Sequence, residues 1–499
     1  MNDGRWISFT AVDDSNVGAR WPNAGGKTVC YSAGIWIAGL VSGEIRTAAA
    51  EYTSEWQPGN ILPNGTADAR RPAHGVLNIN ATDLLGEGGE NPNYDLWINE
   101  AYLLGALIKR NQLGQPILSP TWKYIPEMYG DQMLWMVYND LDSLRYREFS
   151  TLPTGLECQT LLWAYDKSSE FGDMIFESFL IVNKGQETMT EAYFGLWGDL
   201  DIGDYHDDLA FSDSILALGG VWNDAADDDF GDKPPASGLV LLQGPVVPSI
   251  GDTAKTLTGI LENHANLPLI SIVAFDNCHL APWHFPHDAR TAYNSLKGLE
   301  MEIGSPHKDH VGHPTKFWYL SDPESATGHV DGRPCEKRLL LGSGPFTLPP
   351  WQDLNNDHLA QPGEPGVQEI VAAFLVAQGT SAANSATKLK RIAGFAHQSY
   401  RSGFTDFPTS VESPSRAPLP ENFTLKQNYP NPFNPSTKIE YEISQPGRVT
   451  RDFQHARAKD KNTGLAISNG GSLFSNVECP IRGWNTGFNR RIFDTAFNG

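Results

Sequence analysis

The feature that most constrains this chain is a succession of short apolar or alternating runs, each closed by Asn, Asp or Gly. Between residues 131 and 245 they read DQMLWMVYNDLD, ECQTLLWAYD, DMIFESFLIVNKG, MTEAYFGLWGDLD and GLVLLQGP. Runs of this length, bounded by turn formers, are the pattern of successive strands. The stretch from Met174 to Val182 is too apolar for a solvated face, which predicts a central strand covered along most of its length. Asn183-Lys184-Gly185 then supplies a turn, and the spacing predicts an antiparallel hairpin with MTEAYFGLW. Helical periods are scarce. GVQEIVAAFLVAQG, residues 366–379, reads as a strand, whereas 381–404 has good helix formers and predicts a closing helix. The expected class is all-β, with an antiparallel β-sandwich body.

A chain of 499 residues exceeds one ordinary core. The organisation read from it is an N-terminal β-rich region over 1–150 that belongs with the body, and a core region over 151–404. A Pro/Ser-rich linker over 405–420 follows, then a short domain start over 421–450 and an atypical tail over 451–499. Gly 48 and Pro 34 suit a fold with many turns.

The charge excludes some partners. With Lys+Arg 37 against Asp+Glu 59, the formal net charge is -22, a field that repels nucleic acid and anionic lipid. No apolar run is long enough to span a bilayer, and MNDGRWISFTAVDD lacks the basic-then-apolar order of a signal peptide. The expectation is that the reading begins inside a longer precursor. Five cysteines, Cys30, Cys158, Cys278, Cys335 and Cys479, form no CxxC pair, and a Cys278–Cys335 bridge stays open.

The chemical feature that stands out is the acidic run Asp199, Asp201, Asp204, Asp207 and Asp208, followed by a second around Asn223 to Asp229. Alternate aspartates about a Gly turn can wrap carboxylates around a hard cation, and calcium is the cofactor expected there. The alternative is a run of acidic turn residues. The segment departs from the EF-hand pattern, since it follows a predicted strand. Glu177 with Asp199 is one carboxylate pair that acid–base chemistry would need to bring into a single pocket. His279, His284 and His287, with His307, His310 and His313, have the ligand type for zinc but no familiar metal spacing. Trp283 and Trp318 are aromatic candidates for stacking on sugar rings. A phosphate loop, a GxSxG elbow and a GxGxxG fingerprint are all absent.

Residues 419–447 read LPENFTLKQNYPNPFNPSTKIEYEISQPG. This segment, above all Gln427 to Pro435, resembles the start of the C-terminal sorting domain of bacterial proteins exported by the type IX (Por) secretion system. The resemblance implies a small immunoglobulin-like sandwich read by the export machinery, entry to the periplasm through a signal peptide, and an extracellular or outer cell-surface location. After Val449-Thr450 the text departs from that family's pattern, so the immunoglobulin-like C-terminal domain is expected to be partial. The body resembles uncharacterised secreted proteins that carry this tail, through Tyr31–Leu40, Asp131–Asp142, Phe194–Asp208, Pro234–Pro245 and Arg338–Pro350.

The function expected from the sequence is an exported structural or binding protein, calcium-stabilised and without defined catalysis, with a surface glycan or protein partner. The alternative is a secreted metal-dependent hydrolase acting on polysaccharide or peptide.

Overall fold

The computed structural model describes residues 18–405, apart from 23–24, 113, 145, 168–169 and 278–284, together with the strand Arg5–Ile7 and strands between 424 and 496. The chain divides into two compact units, Met1–Phe407 and Pro408–Gly499. In the second unit, Thr424–Leu425, Ser436–Ile443 and Gly471–Glu478 form a three-stranded antiparallel sheet, and Gly447–His455 centres a four-stranded one. The run Gln427–Pro435 and most of the 405–420 linker lie outside the described residues.

Two large antiparallel sheets form the body of the first unit, beside four two-stranded ones among the described residues. In the six-stranded sheet the order is Arg5–Ile7, Ser32–Val41, Met189–Asp199, Lys337–Leu348 and Leu269–Asp276, with Glu44–Ala49 also paired to Ser32–Val41. The nine-stranded sheet runs Asp208–Asp213, Leu218–Asn223, Ala236–Gln243, Val367–Ala377, Met174–Asn183, Leu156–Ala164, Gln132–Asn139 and Gln57–Pro58. Its ninth strand, Leu77–Asn80, pairs with Gln132–Asn139. Alternation along each strand divides the side chains between two faces. Ile35, Phe194, Leu196, Phe179, Ile181 and Ile370 meet between the sheets in the largest apolar cluster.

The opposite faces are apolar as well, and this overturns the all-β expectation. Trp135, Leu161, Phe176 and Val371 face away from the inter-sheet core. Such a surface cannot stay in water, so it needs a further layer. Helix α1 (Pro92–Asn99) and helix α3 (Ala382–Arg401) cover it, while α2 (Ala289–Leu296) covers the outer face of the six-stranded sheet. The fold is therefore mixed α and β, and a pure β-sandwich with an immunoglobulin-like partial domain is not what forms. Among the described residues there are three α-helices and four 3-10 helices.

Local chemistry explains each helix. In α3, Ala386, Leu389, Ala393, Ala396 and Tyr400 recur at helical spacing on the buried side, and Ser381 caps the first turn by accepting from Asn384 N–H at 3.2 Å. Asn91 accepts from Asn93 N–H at 3.0 Å ahead of α1, and Asp288 from Thr291 N–H at 2.7 Å ahead of α2.

The predicted hairpin is also corrected. Met174–Asn183 and Met189–Asp199 do not pair. The first lies between Leu156–Ala164 and Val367–Ala377, the second between Ser32–Val41 and Lys337–Leu348. The turn at Asn183 carries the chain from one sheet to the other. Asn183 Nδ2 donates to Leu348 O at 2.8 Å and to Glu187 O at 2.9 Å, so the turn is tied to both sheets.

Candidate functional site

The five aspartates do not gather around one point. Asp199 ends its strand and accepts from the Tyr52 hydroxyl at 2.7 Å, with Arg338 Nε at 3.7 Å. Asp208 is fully buried and accepts from Ile202 N–H and Asn223 Nδ2, both at 3.3 Å. Asp207 accepts from the same Asn223 amide, whereas Asp204 accepts from His206 N–H at 3.1 Å. Asp201 is buried, and its Oδ1 has no hydrogen-bond partner.

The second acidic run serves the backbone. Asp227 accepts from the N–H groups of Asp204, Asp229 and Phe230 at 2.9, 2.8 and 2.6 Å. Gly203 closes against it with φ +63, and a Cβ there would lie 2.4 Å from Asp227 Oδ1. Among the described residues no three His, Cys, Asp or Glu side chains converge as a metal centre needs. The calcium and metal-binding expectation is corrected on that finding: Tyr52, Asn223 and backbone N–H groups hold Asp199, Asp204, Asp207, Asp208 and Asp227 separately rather than around one ion.

The histidines are equally dispersed. His307 stacks on Trp318 at 3.9 Å and meets Glu300, while His287 lies 3.6 Å from Glu302 and His313 lies 3.7 Å from Asp309. His310 faces His329 with ring centroids 5.1 Å apart. Trp318, packed in this way, is no free stacking platform. His279, His284 and Trp283 lie outside the described residues, as do Cys278 and Cys479. Cys335 is disulfide-bonded, and Cys30 and Cys158 are free and buried.

These buried acids still set a pH dependence. Burial raises Asp199 to about 7 despite Arg338, and Glu55 to about 7 despite Arg147. Burial also holds Asp201 and Asp208 well above the usual carboxylate range. Groups whose folded-state pKa is raised favour the folded state fully below their unfolded value of about 4, and that advantage is lost as pH climbs through about 7. The melting temperature should therefore fall by several degrees between pH 5 and pH 8, and Asp199→Asn should flatten the slope. A melting temperature that rises over this interval would contradict the assignment.

A large concavity lies elsewhere, on the outer face of the nine-stranded sheet, with a volume of about 800 Å³. Register builds its floor. Trp135, Leu161 and Ser178 are successive cross-strand partners, and so are Gln159, Leu180 and Glu369 in the adjoining row. Three separate segments form the walls: Gly105–Arg110, Thr256–Leu261 at the turn of the hairpin formed by Val246–Lys255 and Ile260–Asn266, and Leu359–Pro362. Gly105 has φ +118, and a Cβ there would come 1.9 Å from Gln159 Oε1, so only glycine lets that wall sit on the floor.

Glu369 is the chemically distinctive member. Its Oε2 accepts from Leu257 N–H at 2.7 Å and Gln243 Nε2 at 3.2 Å, and the Tyr400 hydroxyl holds Gln243 in place at 2.6 Å. Only 5% of Glu369 is exposed, and burial raises its pKa. Among the described residues no protein group hydrogen-bonds its Oε1, the Ser178 hydroxyl or the Tyr129 hydroxyl on the wall. Sequence reasoning missed this site. The available signal was a single polar residue at an outward position of an otherwise apolar strand, as at Gln159, Ser178 and Glu369.

The chain matches no family model and no curated protein. Among the described residues, no helix is long and apolar enough to cross a membrane.

Proposed function

We propose that this protein is an exported binding protein, and that its ligand enters the cleft on the outer face of the nine-stranded sheet. One observation carries the binding half. An opening of about 800 Å³ has Trp135, Leu161 and Leu180 on its floor, and beside them the largely buried Ser178 and Glu369 present polar side chains to it. Pockets of this size that are mostly apolar with a few convergent polar groups suit a small molecule, or one terminal group of a surface glycan or protein partner.

Binding is tested with the neutral fluorophore N-phenyl-1-naphthylamine. Its emission should rise on saturable binding to the native protein, and most of that rise should vanish in Ser178→Trp, which fills the floor. An unchanged signal in the variant would place the dye elsewhere and remove the reading.

Support for the export half comes from the resemblance of Gln427–Pro435 to a type IX sorting signal. Placed behind a signal peptide in a host with that machinery, the chain should reach the cell surface or medium. Deletion of residues 421–450 should hold it in the periplasm. Equal release of both forms would argue against type IX sorting.

A further inference from the structure

We infer that the cleft selects a compact organic cation, an amine carried on an apolar body, whose charged group seats against Glu369. The inference rests on the binding reading above and names its ligand class. It follows from how this protein treats several of its other buried acids. Glu55 and Asp140 lie 3.5 and 3.7 Å from the Arg147 guanidinium, Glu157 lies 2.8 Å from Lys184, and Asp331 lies 2.8 Å from Lys337. Asp208 instead receives a backbone N–H and an amide, and Glu177 is sealed inside the inter-sheet core.

Glu369 differs from all of them. It has no ion-pair partner, yet it opens into a cavity that a molecule can enter. The nearest hairpin lysine, Lys255, is committed to the carbonyls of Tyr400 and Arg401 at the end of α3. Donors already occupy Oε2, which leaves Oε1 as the atom facing an incoming group.

The surroundings favour the same sign. Glu127 and Asp357 border the opening, and its one arginine, Arg110, is exposed and donates to Gly114 O at 2.8 Å. A cation in this cleft meets a carboxylate in a setting of low dielectric, where an ion pair is stronger than in water. The Ser178 and Tyr129 hydroxyls can accept its remaining N–H donors. Leu161, Leu180 and Leu257 contact the apolar body. An anion would face three acids.

The experiment compares benzylammonium, benzyl alcohol and benzoate by calorimetry on the full chain. These probes share one ring and differ in the charge of the side group. Benzylammonium should bind about tenfold or more tighter than benzyl alcohol, a difference of about 1.4 kcal/mol, and benzoate should bind weakest. In Glu369→Gln the preference of benzylammonium over benzyl alcohol should disappear, glutamine keeping an acceptor for Leu257 N–H. That control separates a seated cation from general attraction to a chain of net charge -22. Equal affinities in the native protein, or a preference that survives Glu369→Gln, would overturn the cation assignment and leave the cleft as a neutral-ligand site. If none of the three binds at millimolar concentration and the neutral dye also fails, the binding reading falls, and this inference with it.

Discussion

Replacing Arg147 by methionine is expected to destabilise the Met1–Phe407 unit by about 4 kcal/mol, since removing one partner of a buried ion pair costs roughly 3–5 kcal/mol. The guanidinium serves Glu55 and Asp140 together, at 3.5 and 3.7 Å, and both carboxyls are fully buried. It also donates to Thr47 O at 2.7 Å and Thr151 O at 3.2 Å, tying the 140–155 connection to the edge of the six-stranded sheet. Methionine keeps the packing of the stem but supplies no donor. Asp140 would retain the N–H groups of Thr154, Gly155 and Leu156, at 2.6 to 2.9 Å, and Glu55 those of Ala49 and Phe149, at 2.9 and 3.4 Å, but both would lose the guanidinium. Urea unfolding measures the loss, which should be larger at pH 8 than at pH 5, where protonation relieves the unpaired acids. A loss below about 1 kcal/mol would mean that backbone donors alone suffice.

The opposite sign is expected at Glu177. Glu177→Met should stabilise the protein by about 2 kcal/mol, the cost of a buried polar group left without hydrogen bonds being about 1–3 kcal/mol. Neither carboxyl oxygen has a partner, and the residue is fully buried. Its strand neighbours on the same face are Phe179 and Ile181, and its cross-strand partners are Leu162 and Ala372. Burial holds its pKa well above the usual range. The unfolded chain ionises near pH 4, so the folded protein is penalised progressively as pH rises above that value. Methionine, similar in length, removes both the unmet acceptors and the titration, and its advantage should grow from pH 5 to pH 8. Glu177→Gln still buries an unpaired amide and should gain little. A destabilised methionine variant would show that the carboxyl makes a favourable contact, and would reverse the argument.

Glu177 also shows how far local text reaches. Its presence in an apolar strand is plain from MIFESFLIV, and so is the central position of that strand. Which sheet it joins is not. Asn183-Lys184-Gly185 has the same turn chemistry whether the chain returns beside itself or crosses to another sheet. The outcome turns on Val367–Leu375 and Leu156–Ala164, which offer better apolar partners far away along the chain. The helix expected over 381–404 forms as Ala382–Arg401, yet the two apolar outer faces that require α1, α2 and α3 become visible only once the strands are aligned.

The acidic runs show the same division. Their charge and turn chemistry are legible, and the Gly203 turn against Asp227 is local. The groups that face Asp199, namely the Tyr52 hydroxyl and the Arg338 guanidinium, come from strands and loops far apart in sequence. A cation was the natural expectation while those donors were out of sight.

Strand placement and turn positions follow from near-neighbour patterns, because periodicity and turn preference act over a few residues, and net charge follows from composition. Sheet assignment, the covering helices and the cleft were decided by long-range register. Gln159, Leu180 and Glu369 become one row only after three strands from different parts of the chain have paired, and Glu369 faces an open cavity only because three further segments stand around it.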